Sequence, residues 1–168
     1  MEQKPRTETI DNDLYDEDDE DTQKDKYLTF HLGDEDYGIE IRHVLEIVGI
    51  QKITEVPDMP GFVRGVINLR GQVIPVIDVR LRFGMEAREY DDRTCTIVVM
   101  IDETQVGLIV DTVSEVRDIP EENVSAPPEI GRGRASQYIM GMAKVGDEVK
   151  ILLDVQRLLF EEELAQLG

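Results

Sequence analysis

The chain has 168 residues, with 37 Asp or Glu against 18 Lys or Arg, for a formal net charge of -19. That balance argues against a nucleic-acid phosphate backbone or an anionic membrane surface as partner, since both select clustered Lys and Arg. A single cysteine excludes an internal disulfide, and the longest apolar run, CTIVVMI (95–101), falls far short of the roughly 20 residues that span a bilayer.

Residues 1–26 carry eleven acidic side chains against four basic ones, including the run DEDDED (16–21). Such a stretch repels itself and buries nothing, so it reads as a disordered, solvating acidic tail. Its DNDLYD (11–16) has the opening spacing of a calcium loop, but Asp16 stands where that loop needs glycine for its sharp turn. The amino terminus has no apolar core of a secretory signal, and a cytoplasmic protein is expected.

The ordered part opens with an alternating strand at Tyr27–Leu32, a polar turn GDED, and a second strand ending near Ile41. A short turn of helix is expected next, with Val44 and Ile47 three apart on one face. The loop ITEVPDMPGFVRG (53–65) leads to a hairpin whose tip is NLRG (68–71). Pro75 gives no N–H to a ladder, which predicts an edge strand or a barrel corner, and Asp78 is placed to cap a short helix.

The same plan then recurs. DYGIEIRHVLEIV (36–48) aligns without gaps on QVGLIVDTVSEVR (105–117), and GVINLRGQVIPVIDVRLRF (65–83) on GMAKVGDEVKILLDVQRLL (141–159). In the second copy the first strand is Thr94–Ile101, its turn DETQ, its short helix the one carrying Val113 and Val116, and its cap Asp154. The extra length of copy two lies in APPEIGRGRAS (126–136), which has loop composition. The chain ends in an amphipathic helix burying Val155, Leu158, Leu159 and Leu164. Positions apolar in both copies, such as Ile77 and Leu153, are core candidates. At the hairpin tips the copies part: Gly146-Asp147 is an ordinary turn pair, whereas copy one has Arg70-Gly71, and folding alone does not call for the arginine. Strands this short, with frequent turns, point to an all-β protein of small barrels.

Residues for catalysis are sparse. His31 and His43 have no cysteine or second histidine at ligand spacing, Ser114, Ser125 and Ser136 sit in no nucleophile elbow, and GRGR (131–134) lacks the lysine of a phosphate loop. Carboxylate pairs in so acidic a chain read as solvated surface. Binding is the expected trade.

The blocks YGIEIRHVLEIV (37–48), GFVRGVINLRGQVIPVIDVRLRFG (61–84) and VGLIVDTVSEV (106–116) together resemble the CheW family of chemotaxis coupling proteins, over roughly 27–165. The resemblance implies two SH3-like five-stranded β-barrels side by side within a domain at 27–168, here taken as about 27–90 and 91–160, with short helical segments and a C-terminal helix. It implies no enzymatic activity and no cofactor. Members of the family join the membrane-distal tip of chemoreceptors to the regulatory domain of the histidine kinase CheA, in a cytoplasmic array. In proteins of this kind the arginine of the NLRG tip pairs with the glutamate of VLEI, here Arg70 and Glu46, beside a groove for the receptor's helical hairpin. The groove walls would carry Val44, Ile47, Val113 and Val116. One set of kinase contacts would use Ile53, Val56 and Gly65; a second, array-forming set would use Ser125 and Ile130, although the family favours a larger polar residue at the serine.

Other readings stand beside these. The four apolar wall residues could serve only to seal the barrels together, and Arg70 could be a solvated tip. The array could be a non-flagellar one, such as an array for twitching motility. A generic SH3-like peptide binder would need an aromatic-lined groove, which a chain with no tryptophan, five tyrosines and four phenylalanines supplies poorly.

Overall fold

The computed structural model describes residues 23–127 and 137–159. The acidic tail up to residue 22, the second half of the SAPPEI loop with Ile130, and Leu164 lie outside them.

Within the described residues eleven strands follow in chain order: β1 (Lys26–Leu32), β2 (Glu35–Glu40), β3 (Val44–Gly49), β4 (Val63–Leu69), β5 (Gln72–Asp78), β6 (Cys95–Ile101), β7 (Thr104–Val110), β8 (Thr112–Asp118), β9 (Val124–Ser125), β10 (Ile139–Val145) and β11 (Glu148–Leu153). Among the described residues, two short helices, α1 (Val79–Arg82) and α2 (Val155–Leu159), follow β5 and β11. Asp78 caps α1 by accepting from the Leu81 N–H, and Asp154 accepts from the Arg157 N–H in the same way. Val155, Leu158 and Leu159 are buried as the apolar stripe requires.

The strands form two sheets, ordered β8-β1-β2-β11-β10-β9 and β3-β6-β7-β5-β4. The all-β, two-unit architecture is the expected one, but the sheets do not divide near residue 90. Each copy lends its third strand to the other: β3 pairs with β6, and β8 pairs with β1. The reason lies in the connections. β2 reaches β3 through the 3₁₀ turn Ile41–His43, and β7 reaches β8 through Asp111 alone. Neither link reverses the chain, so the strand runs on into the neighbouring sheet.

The core follows from this exchange. The largest buried cluster takes Leu28, Phe30 and Leu32 from β1, Ile97 and Val99 from β6, and Ile77 and Leu153 from the two matched hairpins. It belongs to both sheets. Two smaller clusters fill each unit separately, one around Ile67, Ile74, Val76, Val98 and Ile109, the other around Tyr27, Ile119, Ala143 and Leu152. The unbroken apolar run of β6 is explained by burial on both faces, with Ile97 and Val99 in the shared core and Val98 in its own unit.

One further expectation is corrected and another is narrowed. The segments around Val44–Gly49 and Thr112–Asp118 are strands, not helical turns; their β-branched content suits a pleated surface. Of the two alternatives for Pro75, the edge strand is excluded, since β5 has β7 and β4 as neighbours. Val66, opposite Pro75, exchanges both its backbone bonds with Thr54 instead, and the parallel pairing of β5 to β7 begins only at Val76. The missing N–H is therefore never asked for.

Candidate functional site

The β4–β5 hairpin turns on two residues, Arg70 (φ 54°) and Gly71 (φ 85°). Both central residues in the left-handed region match the twist of a tight hairpin, which Asn-Gly would satisfy at lower cost than Arg-Gly. The side chain of Asn68 accepts from the Gly71 N–H at 2.9 Å and steadies the turn. The arginine's own contribution lies across the surface. Its two terminal nitrogens donate to both carboxylate oxygens of Glu46 on β3, a two-point pair. That hydrogen bonding holds the Glu46 carboxyl below its usual range and raises the Arg70 guanidinium further. Glu46 is largely covered while Arg70 stays open to solvent. The pair expected from the sequence is thus present, and it lines a shallow depression with Leu45, Leu69, Gln72 and Gln105.

The four apolar wall residues differ in exposure. A register shift between Val44 and Glu46 brings Val44 and Ile47 to one face, opposite Val99 and Ile97, and the shift of β1 against β8 does the same for Val113 and Val116, opposite Phe30 and Leu28. Val44 packs against the shared core, and Ile47 is 42% exposed. On β8, Val113 likewise packs against the shared core and Val116 is 51% exposed. Val44 and Val113 are thus partly buried against the shared core, while Ile47 and Val116 are open to solvent. Leu45, 49% exposed beside Glu46, is a surface residue the sequence reasoning missed, because helical spacing had hidden its face. β3 and β8 are end strands of different sheets.

The expected kinase-side residues fall at matched places in the two copies. Thr54 bridges Val66 of β4 by two backbone bonds, N–H to O at 2.8 and 2.9 Å, and Ser125 pairs with Met142 of β10. Val66 and Met142 are equivalent positions of the repeat. Ile53 and Val56 are half-buried, and Ser125 is exposed. Gly65 is buried at φ 145°, and a Cβ there would lie 2.1 Å from the Thr54 carbonyl oxygen. With so little surface of its own, it lets the 53–56 segment lie on β4. Gly141 does the same for β9, where a Cβ would meet Val124 at 2.7 Å.

Among the described residues no helix is long and apolar enough to cross a membrane. A family model described as "CheW-like domain" matches residues 26–163. The chemotaxis protein CheW of Klebsiella aerogenes is 39% identical over 140 residues, covering 83% of this chain and 84% of its own. That of Treponema pallidum is 33% identical over 145 residues, covering 84% and 85%. The crystal structure of the scaffolding protein CheW from Thermoanaerobacter tengcongensis superposes with a TM-score of 0.75 at 37% identity, covering 83% of this chain and 94% of that one. An all-β pair of strand-exchanged sheets, a hairpin arginine clamped to a β3 glutamate, and these matches over nearly all the described chain lead to one conclusion: the chain belongs to the CheW family of chemotaxis scaffold proteins.

Proposed function

We propose that the chain is a non-enzymatic cytoplasmic adaptor that joins the cytoplasmic tip of chemoreceptors to the regulatory domain of the histidine kinase CheA. The observation that carries the reading is the two-point Arg70–Glu46 pair, spanning 24 residues of sequence and flanked on β3 by the exposed Leu45 and Ile47. An arginine placed in the left-handed region of a turn is unfavourable for folding alone, and the pair fixes the hairpin tip beside an apolar strand face. Such a face, with a charged clamp at its side, suits the apolar stripe of a helix. Receptor contacts then fall to Leu45, Glu46, Ile47, Arg70 and Val116, with Val44 and Val113 holding the strands from within. Kinase contacts fall to the segments bearing Ile53 and Val56 and, in the other copy, Ser125; Ile130 lies outside the described residues.

The test is sedimentation of receptor-containing membranes with the kinase, in the presence and absence of this protein. Kinase should pellet with receptor membranes only when the protein is added, and Ile47→Asp together with Val116→Asp should abolish the effect while the purified protein still binds the kinase regulatory domain. Pelleting of the kinase without the protein, or unimpaired pelleting with the double variant, contradicts the proposal.

A further inference from the structure

At the point where β7 hands over to β8, the chain buries a carboxylate. The Asp111 side chain is 7% exposed and accepts four hydrogen bonds. Arg80 of α1 donates through Nε and Nη2 at 2.7 Å each, Arg88 of the 84–94 loop through Nη1 at 2.9 Å, and the Gly33 N–H of the β1–β2 turn at 2.8 Å. These donors come from both sheets: α1 extends β5 of one, and Gly33 belongs to the first hairpin of the other. The backbone of Asp111 also donates to the His31 carbonyl at 3.2 Å. Burial pushes the Asp111 carboxyl up, but the hydrogen bonds from Arg80 and Gly33 more than reverse this and leave it below the usual range. A buried carboxylate satisfied this fully is rigid, because every alternative geometry strands charge out of water.

The equivalent residue of copy one is Arg42, at the matching handover from β2 to β3. Its side chain is 63% exposed and, among the described residues, pairs with Glu40 at 3.4 Å. One handover is locked and the other is not. The locked one starts the strand that carries Val113 and Val116.

We propose that Asp111 is a positioning residue for recognition: clamped by Arg80, Arg88 and Gly33, it fixes where β8 leaves the second sheet and so where Val116 stands for the receptor. A second anchor acts downstream on the same strand. The register shift of β1 against β8 is filled by the buried Thr29 hydroxyl, which donates to the Glu115 carbonyl at 2.8 Å and accepts from the Glu115 N–H at 3.2 Å. Between these two points β8 is held as a rigid span rather than as an ordinary end strand. This inference rests on the receptor reading of β8 for its functional half, and on geometry alone for its structural half.

Asp111→Asn is the test variant, since the amide keeps the shape and loses the charge that two arginines share. Amide hydrogen exchange of the full-length protein should accelerate about tenfold or more across Thr112–Asp118 while β6 and β7 keep their protection. Affinity for a soluble receptor-tip fragment should fall about fivefold or more, and affinity for the kinase regulatory domain should stay within about twofold. Should Asp111→Asn fail to fold, Arg80→Lys, which keeps the charge but not the two-point bond, carries the same expectations. Uniform acceleration across the whole chain, unchanged exchange in β8, or equal losses for both partners overturns the proposal. Val116→Asp run alongside separates the two levels. If it leaves receptor affinity intact, the receptor reading of β8 fails and with it the functional half; if it abolishes binding while Asp111→Asn binds normally, only the positioning role fails.

Discussion

The two copies of the repeat share a backbone plan and spend their charged residues differently. In copy one the handover residue, Arg42, lies in solvent, and the hairpin tip carries Arg70, locked to Glu46 across the surface. In copy two the handover residue, Asp111, is buried among three donors' groups, and the hairpin tip is Gly146-Asp147, of which only the glycine has a positive φ. Each copy reaches the same backbone plan with only one of these features, so the repeated plan itself calls for neither the tip arginine nor the buried carboxylate. The difference teaches where surplus chemistry sits: at the tip it faces outward for recognition, and at the handover it faces inward to hold a strand.

The largest expected effect probes what the copies share. Gly65 and Gly141 both admit a covering segment, but only Gly65 combines a positive φ with a carbonyl oxygen 2.1 Å from a would-be Cβ. Gly65→Ala should cost about 3–5 kcal/mol in denaturant unfolding, from strain and overpacking together. Gly141→Ala meets the movable Val124 side chain at 2.7 Å and the Ser125 carbonyl at 3.2 Å, and should cost about 1–3 kcal/mol. Equal costs would break the claim that the β4 edge is the more tightly sealed of the two.

The repeat, the hairpins and both helix caps were legible in the sequence, because glycines, turn pairs and Asp78/Asp154 speak locally. The strand exchange was not, since it depends on links of three residues and one, which look like ordinary turns in a sequence. Val44 with Ile47 and Val113 with Val116 suggest helix faces because apolar spacing of three fits a helical turn as well as a bulged strand; the β-branched residues around them are the signal for a strand. The Arg70–Glu46 pair came from resemblance rather than from spacing. The Asp111 cluster was invisible because its partners lie 31, 23 and 78 residues away.

A smaller effect separates the handovers by pH. The folded Asp111 carboxyl lies below its unfolded value of about 3.9, so its contribution is fully present above that value and is lost as pH falls through the folded one. The stability gap between the parent and Asp111→Asn should be constant from about pH 7 to pH 5 and shrink below about pH 4, measured as urea midpoints. Arg42→Gln, at the equivalent place, should show a small gap at every pH, as an exposed side chain does. A gap for Asp111→Asn that persists unchanged to pH 2.5 would mean that the carboxylate's charge contributes nothing to the lock.

The smallest expected effect on stability, and the most telling on function, is at the tip. Arg70→Ala should melt within a few degrees of the parent, since the side chain is mostly solvated and alanine fits the turn no worse. The measurement that tests the adaptor account most directly is a double-mutant cycle on receptor-tip affinity, using Arg70→Glu, Glu46→Arg and the two combined. Each single reversal places like charges together at the β3 face and should weaken binding by about an order of magnitude or more, while the combined variant recovers part of the loss. Strictly additive losses, with all three variants folded, would show that the two residues do not act as a unit and would contradict the account.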